Sequence, residues 1–125
     1  MSGLIKIETL IDFDLNAARR YLKRSGLEPN RINLDLSYVS TYEAYRLTAF
    51  MLLDNLKKTG VCLDLKPGLW STNWDKAKNL DTAPNIISMA WWPTISSPSD
   101  WFLSLYGTQE PPLFNLSYYS NSVLD

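Results

Sequence analysis

Apolar positions along this chain switch repeatedly between a helical period and a period of two, and the switches are punctuated by glycine and proline. Asp14 stands where an N-cap would, before Leu15 to Ser25, in which Ala18, Tyr21 and Leu22 share one face, the basic residues fall on the other, and Gly26 supplies a left-handed stop. Ile32, Leu34, Leu36 and Tyr38 then alternate with Asn33, Asp35 and Ser37, the pattern of a strand with one buried face. Ser40 and Glu43 have capping-box spacing and open a helix through Lys58, with Ala44, Leu47, Met51 and Leu52 as its core stripe and Gly60 as its end. Val61, Leu63 and Leu65 alternate with Cys62, Asp64 and Lys66 as a second strand, which Pro67-Gly68 stops. Ser71 or Thr72 caps a short helix to about Lys78, and a loop follows over Asn79 to Asn85.

The stretch Asn85 to Leu105 reads as a buried strand, an aromatic turn and a helix start. Ile86, Ile87, Met89 and Ala90 form the strand, Trp91-Trp92-Pro93 stops it, and Ser97, Pro98 and Asp100 have the spacing of a cap, first helical position and capping carboxylate for a helix over Pro98 to Tyr106. After Gly107 the pattern predicts a loop and one edge strand within Leu113 to Tyr119. Strands alternating with helices of these lengths imply crossovers and a mainly parallel sheet with helices on both faces, an α/β fold. In such sheets ligands sit beyond the carboxyl ends of the strands, which is where the paired tryptophans fall.

Composition narrows the chemistry. The 125 residues fit one domain, and a formal net charge of -1 with basic clusters confined to helix ends, at Arg19, Arg20, Lys23, Arg24 and at Lys57, Lys58, gives no phosphate-binding surface, so nucleic acid is not an expected partner. The chain has no histidine, which removes the commonest general base and metal ligand, and no glycine-rich phosphate loop. Its one cysteine, Cys62, lies in an apolar run and is read as a small core residue. Asp35 and Asp64 occupy polar strand positions, and Asp100 is accounted for by its helix start. Neither an enzyme, a metal site nor a cofactor is therefore expected. No apolar run is long enough to span a bilayer, and Met1-Ser2-Gly3 does not open a secretory signal.

Several short motifs in order carry a family resemblance. DLNAARRYLKRSGL, INLDLSYVS, LLDNLKKTGVCLDLK, LW, IISMAWWP, SPSDWFLSLYG and YYSNS resemble one lobe of the family 5 extracellular solute-binding proteins, the oligopeptide, dipeptide and nickel receptors of ABC importers. The resemblance covers residues 12–125 and implies a periplasmic-binding-protein-like lobe, part of the carboxyl-terminal one, with residues 1–11 as an N-terminal segment. It also implies closure of two lobes over a solute, a permease partner, an extracytoplasmic location for the full-length protein, and lobe faces left uncovered that could support a dimer.

Residue by residue, the resemblance marks Trp70, after the second strand, and Trp91, at the end of the third, as pocket-lining. Strand alternation keeps Trp91 and Trp92 from facing the same layer, and Trp92 is carried as a further ligand-binding candidate. Thr94 stands where peptide-binding members place the aspartate that pairs with a free amino group, and Ser88 falls near a basic position for the peptide carboxylate. Those two departures favour a neutral solute such as an oligosaccharide over an ordinary peptide, and the absence of histidine disfavours nickel. Trp74 and Trp101 are read as core, and Tyr118 and Tyr119 are assigned no site. The rival reading is the same module serving as the ligand sensor of a cytoplasmic transcription regulator.

Overall fold

Leu36 and Tyr38, on the middle strand of a parallel sheet, meet Ala49 of the longest helix to form the centre of the core. The computed structural model describes residues 12–123 and 125; the segment read at residues 1–11 lies outside them. The elements are α1 (Leu15–Ser25), a 3-10 turn (Pro29–Arg31), β1 (Asn33–Val39), α2 (Glu43–Thr59), β2 (Cys62–Gly68), α3 (Trp70–Ala77), β3 (Ile86–Ser88) and α4 (Pro98–Tyr106). The order helix, strand, helix, strand, helix, strand, helix is the one the periodicity implies. The three strands lie in the order β2-β1-β3, all parallel. Two crossovers leaving toward opposite edges give an α/β lobe: α2 packs on the face of Leu36 and Tyr38, and α3 packs on β1, its buried Asn73 donating to the carbonyl of Tyr38.

The helix ends follow local chemistry. Asp14 Oδ1 accepts the N–H groups of Asn16 and Ala17 at 2.8 and 2.9 Å, and Gly26 leaves α1 at φ 72°. Gly60 closes α2 at φ 89°. Lys23 and Arg24 end α1 and Lys57 and Lys58 end α2, so the basic clusters do sit at negative helix poles. Arg19 goes further and donates to the carbonyl of Lys58 at 2.7 Å, joining the two helices.

Elsewhere the structure corrects the sequence reading. The stripe of α2 that faces the sheet is Tyr45, Ala49 and Leu52, while Ala44, Leu47 and Met51 are exposed. The helix is apolar on more than one side, and its fully buried residue, Ala49, packs against Leu36 and Tyr38 of β1. Ser40 does not cap α2: its N–H and hydroxyl both donate to the carbonyl of Gly68, at 3.0 and 3.2 Å, tying the ends of β1 and β2, and Glu43 pairs with Arg46 instead. Cys62 is exposed, because the period of two that turns Leu63 and Leu65 inward turns Cys62 outward with Asp64 and Lys66. Ser37 is buried, since β1 is central and covered on both faces. Pro67-Gly68 ends β2 as its last two residues, paired with β1, because an edge strand tolerates proline.

Three further boundaries differ. Helix α3 begins at Trp70 without a side-chain cap, so Ser71 and Thr72 lie inside it. Strand β3 ends at Ser88, leaving Met89 and Ala90 without regular pairing. No strand forms over Leu113 to Tyr119: Asn115, buried, donates to the carbonyls of Gly107 and Tyr119 at 2.9 and 2.7 Å and accepts from Ser117, folding the segment into turns.

Candidate functional site

Two turns at the carboxyl ends of the strands carry the aromatic residues singled out by the sequence. Gly68 ends β2 and Trp70 opens α3; β3 ends and Trp91 follows three residues later. Trp70 lies nearly parallel over Trp74, one helical turn on, with centroids 5.9 Å apart and planes at 17°. Trp74 meets Phe114 edge-on at 5.6 Å, Phe114 meets Trp91 at 6.0 Å, and Trp91 meets Trp101 at 4.9 Å and 72°. The result is a continuous aromatic row that joins the end of β2 to the start of α4. Each such pair contributes about 0.5–1.5 kcal/mol beyond its burial, so the row also fixes the relative placement of both turns.

Beside the row, between β3, α4 and the loop after Gly107, lies a cavity of about 410 Å³ whose walls include Trp74, Ile87, Met89, Trp91, Leu105 and Phe114. Asn85 and Ser117 add the polar edge, and among the described residues no charged side chain lines it. Such a lining receives apolar or neutral groups and, among the described residues, offers no partner for a full charge.

The wall formed by the loop after Gly107 is held by hydrogen bonds. Gln109 Oε1 accepts the main-chain N–H groups of Leu113, Phe114 and Asn115 at 2.9, 2.8 and 3.0 Å, while its Nε2 donates to the carbonyl of Ser104 at 3.0 Å. Tyr118 Oη donates to the carbonyl of Ala77 at 2.7 Å, fastening the same loop to the end of α3. Phe114 is thereby placed between Trp74 and Trp91.

Of the four residues picked from the sequence, Trp70 and Trp91 belong to one row, joined through Trp74 and Phe114. Trp92, beyond the end of β3, is 85% exposed, while Trp91 packs against Trp101 and Phe114. Thr94 is exposed, its N–H held by Asp100 Oδ2 at 2.7 Å. Trp74 and Trp101 are not the plain core residues they were read as: Trp74 lines the cavity, and Trp101 is 42% exposed against Trp91. Asp100 does not close a capping box, because its carboxylate reaches past Ser97 to Thr94 and Ile95, and Ser97 bonds Ser99 instead. Phe114 was missed; an isolated aromatic after Glu110-Pro111-Pro112 carries no periodic signal. Among the described residues no His/Cys/Asp/Glu group could hold a metal ion, and no helix is long and apolar enough to cross a membrane.

No protein-family model matches the sequence, and no curated protein matches it. Solved structures do match. HbpA2 from Haemophilus parasuis superposes with a TM-score of 0.80 at 18% identity, over 96% of this chain and 24% of its own. DppA of Helicobacter pylori, an ABC-transporter-associated periplasmic binding protein in complex with the peptide STSA, gives 0.75 at 21% identity, over 90% of this chain and 22% of its own. The murein tripeptide binding protein MppA of Escherichia coli gives 0.70 at 25% identity, over 87% of this chain and 21% of its own. This chain thus spans less than a quarter of the length of each. Its structural neighbours are family 5 solute-binding proteins of ABC importers, and its fold is that of one stretch of such a protein.

Proposed function

We propose that this chain is part of the carboxyl-terminal lobe of a two-lobed, extracytoplasmic solute receptor that serves an ABC importer, and that Trp70 and Trp91 form part of the wall against which the solute is held. The observation that carries the reading is the aromatic row: two tryptophans from separate strand ends are joined, through Trp74 and Phe114, beyond the carboxyl edge of a parallel sheet. The solute bridges two lobes, and its higher affinity for the closed arrangement shifts the receptor toward the form the permease reads. No bond is made or broken in that cycle.

The solute proposed is a short peptide. In support, DppA holds the peptide STSA and MppA binds murein tripeptide. The uncharged walls beside Trp91 fit peptide side chains and main chain rather than termini, so charged ends are met by the other lobe or by solvent. Calorimetric titration of the two-lobed protein with di- to hexapeptides, oligosaccharides and nickel tests the class. Saturable binding of a peptide is the expected result; binding of oligosaccharides or nickel alone would overturn the peptide assignment, and binding of none would overturn the receptor reading. The 125-residue chain presents half a cleft. Sub-millimolar affinity of this chain alone would contradict the two-lobed account.

A further inference from the structure

The turn from Ala90 to Ser97 carries Trp91, Trp92 and Thr94, yet it has little main-chain bonding of its own. Among the described residues, the one main-chain hydrogen bond inside it runs from the Ser97 N–H to the Ile95 carbonyl, at 2.8 Å. Pro93 has no N–H to offer. At the turn's last residue the Ser97 carbonyl accepts the Asp100 N–H of α4 at 3.2 Å; ahead of it, among the described residues, the hydrogen bonds that fasten the turn to a regular element go to a single side chain. Asp100, in the first turn of α4, accepts the N–H of Thr94 at 2.7 Å and that of Ile95 at 3.1 Å on Oδ2. Ser104 Oγ donates to its Oδ1 at 3.2 Å. The next residue, Trp101, holds the Trp91 ring edge-on at 4.9 Å.

We propose that Asp100 is the positioning residue of the solute-contacting turn: its carboxylate, through two consecutive main-chain N–H groups, sets where Trp91 and Thr94 stand. The proposal rests on the reading of that turn as part of the cleft. A carboxylate suits the task because hydrogen bonds to a charged acceptor are the strong ones and the amino end of α4 favours a negative charge. Both oxygens already have protein donors, so Asp100 acts through the turn and is not itself a contact for the solute. A residue needed only to start the helix would turn to the N–H of Ser97; Asp100 bypasses it.

The test uses Asp100→Ala, which removes both acceptors, and Asp100→Asn, which keeps one oxygen for the turn and a donor for Ser104. In the 125-residue chain, amide exchange at Thr94 and Ile95 is expected to speed up at least about tenfold in the alanine variant and to stay near wild type in the asparagine variant. In the two-lobed receptor, the Kd for the tetrapeptide STSA is expected to rise about tenfold in Asp100→Ala, with rescue by Asp100→Asn, under conditions where both are fully folded. Asp100→Ser, too short to reach Thr94, replaces the alanine variant if that does not fold. Unchanged exchange at both amides, or unchanged affinity in a folded variant whose wild type binds, would overturn the proposal. If wild-type receptor does not bind the tetrapeptide, the receptor reading is what fails for that solute, and the exchange rates alone decide whether Asp100 holds the turn.

Discussion

Asp35 and Asn85 hold each other by two reciprocal hydrogen bonds: the Asp35 N–H donates to Asn85 Oδ1 at 3.0 Å, and the Asn85 N–H donates to Asp35 Oδ1 at 2.8 Å. The pair lies one residue before β3 and fixes where that strand joins β1, with Leu36 opposite Ile86. Since β3 is only three residues long, its ladder alone is a weak determinant of register. The carboxylate at Asp35 is therefore a structural clamp, and it sets the approach of the chain to Trp91.

Replacing Asn85 by Ala removes one bond and leaves the Asp35 N–H without its partner. A loss of about 1–2 kcal/mol in unfolding free energy is expected from urea denaturation. Asn85→Asp keeps an acceptor but sets two carboxylates face to face, so its loss is expected to shrink as the pH falls through the carboxylate range.

The stripe of α2 that meets the sheet can be separated from the exposed one by two substitutions. Ala49 is 0% exposed, and Ala49→Leu is expected to destabilise by about 1–3 kcal/mol through overpacking against Leu36 and Tyr38. Met51 is 63% exposed, and Met51→Ala is expected to change stability by no more than about 0.5 kcal/mol. The reverse ranking in denaturant melts would mean that the helix is rotated from the placement described.

Acid sensitivity follows from the caps and surface pairs. Hydrogen bonding from the Ala17 N–H, aided by that of Asn16 and the charge of Arg20, holds the Asp14 carboxyl below its ordinary value of 3.8. Arg46 lowers Glu43, and the Thr108 N–H lowers Asp125, in the same direction. A carboxyl whose folded pKa is depressed stabilises the fold above its unfolded pKa, and that contribution disappears as the pH falls through the folded one. Asp64 raises Lys66, whose contribution is present below its ordinary value of 10.5 and lost as the pH rises beyond it. Asp14→Asn keeps a capping oxygen without the titration, so its stability is expected to fall less steeply than wild type between about pH 5 and pH 2, measured by circular dichroism.

The order of elements was legible because each strand and helix carries its own period and its own stop: Asp14 and Gly26 bracket α1, and Gly60 ends α2. What periodicity left unresolved was choice among equivalent faces. Helix α2 offers Leu47, Phe50 and Met51 as readily as Tyr45, Ala49 and Leu52, and only the contact with β1 and β2 selects the second set. Two members of the aromatic row were visible at Trp70 and Trp91, since both follow strands. Its middle was not, because Trp74 is at a spacing that fits packing and Phe114 is delivered by a loop folded through Gln109 and Asn115. Asp100 shows the same limit: its spacing from Ser97 fits a cap, and only the folded turn reveals that its partners are Thr94 and Ile95.

The central claim is that the turn carrying Trp91 forms part of a solute cleft, and tryptophan fluorescence of the two-lobed protein, titrated with the tetrapeptide STSA and with longer peptides, tests it most directly. The account predicts a saturable change that Trp91→Ala abolishes or weakens at least about tenfold while the exposed Trp92→Ala leaves the affinity nearer to wild type. Saturable binding that survives Trp91→Ala unchanged would place the cleft elsewhere and contradict the account.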